Sequence, residues 1–419
     1  MGQAAQFIDY GEGGALSSMF PVIAKALSLN VGHLGTRTSF KRILGAIFTP
    51  VWGMLADRYS RKAVLVWGTG VWGLWTLLTG FVQNYQQILI LAVISGIGLV
   101  ALQSTPSSLT SDLFKEEERG KAFGIIRAIS FVGTVAAILL FGYLARVSVD
   151  GWRIAFWLFG GLSIISGVLI WLFLEEPVRG STEQAIVNTG DPTFGEGAFE
   201  FRLVPAIFKI PTMRIILLEY IPKTFIFTVT INFIVTWLAQ DRGFAPSSAI
   251  TTFGTLVVGM AIGSSAGGLI GDWADRINTR SGRLIVAHVS LVLTAITAYL
   301  LFQITWEGTF AYWVLIFFLG LFTEIRYSGA MGPMTAAVLL PEIRTTGFAI
   351  VQTMYAIVAS LASYVIGQLG VKLGLTGAFL WTANLAIVLN ALVWFAFYRT
   401  YPRDADRVQQ TLAERVSRG

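Results

Sequence analysis

The chain has 419 residues, 54% of them hydrophobic and 13% charged, with a mean hydropathy of +0.67. That balance excludes an ordinary soluble domain and points to a polytopic membrane protein, in which a net charge of +6 is read by position rather than as a nucleic-acid signature. The absence of cysteine excludes a disulfide framework, a thiolate metal site and a cysteine nucleophile.

Apolar runs of about 20 residues, enough to cross ~30 Å of hydrocarbon, fall at 4–28, 37–56, 63–82, 87–110, 122–145 and 154–174. Six more follow at 215–239, 248–271, 284–303, 310–338, 345–371 and 376–398. The expected organisation is a six-helix half over 1–174, a cytoplasmic linker over 175–214, a second six-helix half over 215–398 and a cytoplasmic tail over 399–419. The linker contains Ser, Thr, Gly and Pro and a short amphipathic segment from Phe201 to Phe208. Outward loops hold Arg146, Arg153, Arg242 and Lys372, while most other Lys and Arg fall in inward loops and the tail. Both termini are therefore expected in the cytoplasm, with the chain in the plasma (inner) membrane. No basic n-region or A-x-A site precedes the first apolar run, so no cleavable signal is expected.

An ionisable side chain at the bilayer centre costs about 2.5 to 3.5 kcal/mol, so it faces a cavity or a partner. The first span carries Asp9 and Glu12, three apart on one helix face, a pair suited to sharing a coupling proton. The second carries Lys41 and Arg42, about 100° apart around the helix, so they cannot both point at one ligand. Arg42 lies about 22 Å along the helix from Asp57, and its planar fork suits a carboxylate or phosphate. A salt bridge from Lys41 or Arg42 to Asp9, Glu12 or an acid of the other half is the competing reading. Arg127 in the fifth span is expected to snorkel toward the cytoplasm.

In the seventh span Glu219 and Lys223 are four apart, in the order that favours an intrahelical pair, with substrate contact by Lys223 as the alternative. Glu324 and Arg326 in the tenth are two apart and so on opposite faces. Gly329, Gly332 and Pro333 follow as a bendable stretch, and Glu324 is expected to be a gate or coupling acid. Spans 3, 6, 9 and 12 contain no Asp, Glu, Lys or Arg.

One short pattern occurs twice. Gly53-Met54-Leu55-Ala56-Asp57-Arg58-Tyr59-Ser60-Arg61-Lys62 follows the second span, and Gly268-Leu269-Ile270-Gly271-Asp272 takes the same place in the second half. Arg119-Gly120-Lys121-Ala122-Phe123-Gly124-Ile125 is similarly echoed by Arg344-Thr345-Thr346-Gly347-Phe348-Ala349-Ile350. The first pattern resembles the GxxxDRxxRR loop between the second and third helices of the major facilitator superfamily. The second copy departs from it, with Trp273 in the arginine position and Asp275-Arg276 displaced.

The resemblance implies an all-α membrane protein of twelve transmembrane helices in two six-helix pseudo-symmetric halves. It further implies that helices 3, 6, 9 and 12 face lipid, and that Gly53, Asp57, Arg58 and Arg61, with Gly268 and Asp272, form gating motifs. Asp9 and Glu12 are similar to the DGxD segment of aromatic-acid and sugar proton symporters. Asp112-Leu113-Phe114 through Arg119, and Glu176-Pro177-Val178-Arg179-Gly180, resemble spinster-type transporters, although the helix-4 arginine and glutamate of those proteins are absent. The helix-4 arginine and helix-5 GP motif of drug–proton antiporters are also missing.

Two enzyme-like motifs lack their context. Gly68-Thr69-Gly70-Val71-Trp72-Gly73 matches a dinucleotide fingerprint and Gly263-Ser264-Ser265-Ala266-Gly267 a nucleophile elbow, yet both lie inside spans, where small residues serve helix packing. The expected function is thus not enzymatic. It is alternating-access transport of a small organic solute, an organic anion, contacted by Arg42, Lys41, Lys223 and Arg326. Protons, coupled through Asp9, Glu12 and Glu324, replace any cofactor or metal. The expected partners are that solute and the lipid bilayer, with no nucleic acid, and the chain is expected to be a monomer. The alternatives are efflux of an amphipathic lipid or drug, and a non-transporting receptor or assembly factor on the same scaffold.

Overall fold

The computed structural model describes residues 16–58, 61–99, 116–174, 201–278 and 281–418. Asp9, Glu12 and the stretches 112–115 and 175–200 lie outside the described residues, as do the side chains of Gly53, Asp57, Arg58, Arg61, Arg119 and Arg127. Every regular element among the described residues is helical, the solution that satisfies backbone polar groups within a single apolar segment.

In chain order the helices are α1 (Leu16–Leu27), α2 (Val31–Arg58), and α3, made of Arg61–Leu65, a π turn Val66–Val71 and Trp72–Thr79. Then come α4 (Tyr85–Leu99), α5 (Glu116–Val147) and α6 (Gly151–Phe173). A short turn and helix, Phe201–Leu203 and Val204–Phe208, precede α7 (Pro211–Gln240, with a π turn at Val229–Phe233), α8 (Pro246–Ile277) and α9 (Gly282–Gln303). The tenth helix, α10 (Phe310–Ala337), turns π at Tyr327–Met331, just before Gly332 and Pro333, where the sequence reads as bendable. The stretch Pro341–Phe379 breaks at Gly374, whose φ of 71° only glycine adopts freely, into α11 before it and α12 after it. From there α12 continues through Leu380–Asn384 and Leu385–Arg418.

Among the described residues six helical stretches are long and apolar enough to cross a membrane, and shorter apolar helices add to them. Large apolar side chains stand exposed along α6 (Leu158, Leu162, Ile165, Leu169), α9 (Ile285, Val289, Val292, Ile296) and α12 (Leu385, Val388, Leu392, Phe395). Faces of this kind suit lipid rather than water.

By compactness the chain forms two units, one containing residues up to 195 with 231–251 and 363–372, the other the remainder. In the first, Asn30 starts α2 by a reciprocal cap: its Oδ1 accepts from His33 N (3.1 Å) while its own N–H donates to His33 Nδ1 (3.0 Å). The helices α3 and α6 meet through small residues, a Cβ on Gly73 falling 2.7 Å from Ser163 Cβ and one on Gly70 falling 3.1 Å from Gly167 Cα. That contact accounts for the false dinucleotide fingerprint. The 363–372 segment crosses α2 backbone to backbone at Gly35 and Gly367, where a Cβ on Gly35 would lie 2.8 Å from Gly367 Cα. Beside that crossing, Gln368 Nε2 donates to Thr36 Oγ1 at 3.5 Å, and Ser17 Oγ donates to Asn232 Oδ1 at 3.5 Å.

In the second unit, Gly259, Gly263, Gly267 and Gly271 recur every four residues and present one bare stripe of α8 to α10, at Phe317, Leu321, Ile325 and Gly329. This stripe contains the glycines of the rejected nucleophile elbow. A Cβ added at Gly268 meets nothing within 4 Å, so the contact glycines are its neighbours in the stripe. The far end of α12 turns back on α7, where the Asp404 carboxylate accepts from Thr212 N (2.9 Å) and Thr212 Oγ1 (2.6 Å), capping the first turn.

Candidate functional site

The strongest concentration of buried charge lies in the second unit and is contributed by α7, α10 and α12. Glu219 of α7 is fully buried and ion-pairs with Arg326 of α10, itself 1% exposed. Asn390 of α12, also buried, donates from Nδ2 to the same Glu219 Oε1 at 3.3 Å. The i,i+4 spacing of Glu219 and Lys223 led to a different expectation, and the reason for the outcome is geometric. Arg326 offers Glu219 a pre-formed planar donor set from the neighbouring helix, which a flexible ammonium does not match.

Lys223, 8% exposed, takes another arrangement. Its Nζ sits 4.1 Å from the ring centroid of Tyr220 and 4.0 Å from that of Tyr327. Among the described residues no carboxylate lies within ion-pair distance of it, although Glu219 and Glu324 act on it electrostatically. A desolvated cation–π contact contributes about 2 kcal/mol. Two of them match the roughly 2.5–3.5 kcal/mol cost of a charge at the bilayer centre. Lys223 is thus buried against two ring faces, with no acid paired to it among the described residues.

Glu324 is half-buried on α10 and engaged with its surroundings, and two residues on, Arg326 turns to Glu219. Asn390 escaped notice because a count of charged residues treats helix 12 as featureless. An amide in the run Leu389-Asn390-Ala391 was the available signal.

The first unit contributes cations on α2. Arg42 is half-buried and makes no hydrogen bond or ion pair among the described residues. Lys41 is half-buried and engaged, with its backbone against Gly96 of α4. Arg37, which the sequence reading did not single out, is only 6% exposed and is engaged with its surroundings.

The second copy of the repeated pattern finds its cation in an unexpected place. Arg283, at the start of α9, donates to Asp272 Oδ1 (2.7 Å), pairs with Asp275 Oδ2 (3.3 Å) and donates to the Gly329 carbonyl of α10 (3.0 Å). The guanidinium that the motif lacks at Trp273 thus comes from the next helix, while Trp273 itself stands 63% exposed. Among the described residues no group of His, Cys, Asp or Glu is arranged to hold a metal.

Comparison with known proteins gives the family and the fold. The family profile described as Major Facilitator Superfamily matches residues 4–287. The chain is 27% identical to a Cupriavidus pinatubonensis protein named "Probable 4-methylmuconolactone transporter", over 86% of this chain and 81% of that one. It is 25% identical to "Probable galactarate/D-glucarate transporter" of Escherichia coli, over 96% and 92% of the two chains. A Bacillus subtilis hexuronate transporter is also 25% identical, over 69% of this chain and 67% of that one. Among solved structures, a bacterial homologue of the human lysosomal transporter spinster, inward-facing and unoccupied, superposes with a TM-score of 0.81 at 19% identity, covering 96% of each chain. A D-xylose–proton symporter gives 0.73 at 14%, again covering 96% of each. Both structural likenesses speak to the fold.

Proposed function

The chain belongs to the Major Facilitator Superfamily, a multi-pass membrane transporter and not an enzyme, and on that premise we propose that it carries a small organic anion by alternating access. The observation that carries this reading is Lys223: a buried side chain held by two tyrosine rings, with no acid paired to it among the described residues, beside an acid and a guanidinium that neutralise each other. An uncompensated buried cation gains most from a ligand that brings its own negative charge. The named solutes of the relatives support the reading, since hexuronate and galactarate are carboxylates.

Arg42 and Lys41 are further candidate anion contacts in the first unit, and Arg326 reaches substrate through its hold on Glu219. Proton coupling is assigned to Asp9, Glu12 and Glu324, and gating to Gly53, Asp57, Arg58, Arg61 and Gly268, with Asp272 as held by Arg283. The proposal places the chain as a monomer in the plasma membrane with both termini in the cytoplasm.

Purified protein in liposomes provides the test. Uptake of an organic carboxylate is expected, driven by an inwardly directed proton gradient, and Lys223→Met is expected to weaken it at least tenfold while Lys223→Arg retains part of it. Carboxylate uptake unchanged in Lys223→Met and Arg42→Ala would remove the anion reading, and flux confined to uncharged amphiphiles would replace it with efflux. Uptake indifferent to the proton gradient would remove the coupling assignment alone.

A further inference from the structure

We propose that the groove between the start of α3 and the end of α6 binds one anionic phospholipid of the inner leaflet, with the phosphate on Lys62 and the upper acyl chain between Trp67 and Trp171. Only the choice of leaflet rests on the orientation proposed above. The groove lies within the first unit, and the solute contact at Lys223 has no part in it.

The groove arises from how the two helices meet. They touch backbone to backbone where Gly70 faces Gly167, and Gly73 rests against Ser163. Ser163 Oγ donates to Thr69 O (2.9 Å), so the π turn Val66–Val71 is pinned to α6 at that level. Toward the start of α3 and the end of α6, Leu65 and Ile170 pack as a buried pair, with Val66 and Leu174 against them. Next to this pair a space of about 350 Å³ stays open, lined by Lys62, Ala63, Val66, Trp67 and Trp171. Lys62 and Val66 are four apart, as are Ala63 and Trp67, so one face of α3 supplies most of the lining. Ala63 is the small side chain on that wall, and a larger one there would fill the space. The volume is at the low end of the roughly 300–1,000 Å³ of small-molecule sites, room for part of a lipid.

The surroundings select a lipid. Trp67 is 55% exposed and Trp171 63%, and Leu169, Leu172 and Phe173 carry the exposed apolar face of α6 to its end. An occupant therefore arrives from the bilayer. Trp171 stands two residues before the end of α6, the depth at which an indole presents its ring to acyl chains and its N–H to glycerol and headgroup oxygens. Neither Trp67 nor Trp171 spends its indole N–H on the described residues.

Charge selects the headgroup. Lys62 is half-buried and makes no ion pair or hydrogen bond among the described residues. It closes the repeated pattern but is not among the residues assigned to gating. The lining holds this one cation and no acid, so a phosphate is matched, while the ammonium of a zwitterionic headgroup would find no carboxylate in the groove to receive it. One cation at the membrane surface favours anionic lipid about fivefold.

Native mass spectrometry of the full-length protein in detergent, with phosphatidylglycerol or phosphatidylcholine added, provides the test. One phosphatidylglycerol is expected to be retained about fivefold more tightly than phosphatidylcholine. Lys62→Gln is expected to bring the two lipids to parity, and Lys62→Arg to keep the preference. Ala63→Phe is expected to lower retention of both lipids severalfold. Lys62→Gln leaves the contacts between α3 and α6 untouched, so its result stands whether or not Ala63→Phe folds. Lys209→Gln, which removes an exposed cation outside the groove, is expected to change nothing. Equal retention of the two lipids by the unsubstituted protein would overturn the inference, as would a preference that survives Lys62→Gln. A loss in Lys209→Gln as large as that in Lys62→Gln would also overturn it, by showing a general attraction to surface cations. None of these readings depends on carboxylate transport, so the failure of either proposal leaves the other standing.

Discussion

Glu219 has two neighbours of opposite charge, Lys223 on its own helix and Arg326 on α10, and its carboxylate goes to the arginine. The sequence showed which residues were costly to bury, because each charge in an apolar run stands out, but not how they pair, because pairing depends on which helices pack. Asn390 marks that limit well: it is neutral, lies in an apolar span with no charged residue, and still donates to Glu219. Breaking a buried pair by removing one partner costs about 3–5 kcal/mol, since the other charge is left without compensation. Glu219→Gln is therefore expected to lower the melting temperature sharply, and the double variant Glu219→Gln/Arg326→Met to recover much of the loss, as read by thermal unfolding in detergent. Asn390→Leu removes one hydrogen bond and is expected to cost about 1 kcal/mol.

Among elements, the stripe on α8 shows where motif spacing misleads. Matching the repeated pattern selects Gly268, but the helical period selects Gly263, Gly267 and Gly271, which share a face every four residues and meet α10. The period was present in the sequence, and what it lacked was the identity of the partner helix. Gly263→Ala is expected to force α8 away from α10 at a cost of about 1–3 kcal/mol, the usual range for overpacking. Gly268→Ala meets open space and gains helix propensity, so it is expected to stabilise by up to about 1 kcal/mol. Melting curves of the two variants side by side test the assignment. Arg283 teaches a related lesson: the acids of the second copy were legible, while their cation was hidden in the next helix, where no linear pattern looks.

At the scale of the molecule, the sequence repeat divides the chain in covalent order, while compactness gathers 231–251 and 363–372 with the N-terminal residues. Backbone-to-backbone contact at Gly35 and Gly367 leaves no room for a side chain, so this crossing is either fully made or broken. An alternating-access cycle requires it to break. Because the chain has no cysteine, a single engineered pair reports on it cleanly. Thr36→Cys/Gln368→Cys, at positions whose side chains already hydrogen-bond, is expected to cross-link under mild oxidant, to stop liposome uptake and to recover on reduction. Full uptake by the cross-linked protein would show that the crossing stays closed throughout the cycle.

The bond between Asp404 and Thr212 also bears on how the protein is made. The two residues are 192 positions apart, and translation at about 5–20 residues per second separates their emergence by roughly 10–40 s. Throughout that interval the first turn of α7, the helix that bears Glu219 and Lys223, waits for its cap. A chain that ends between the last apolar span and Asp404 keeps every apolar span but leaves the start of α7 without this cap.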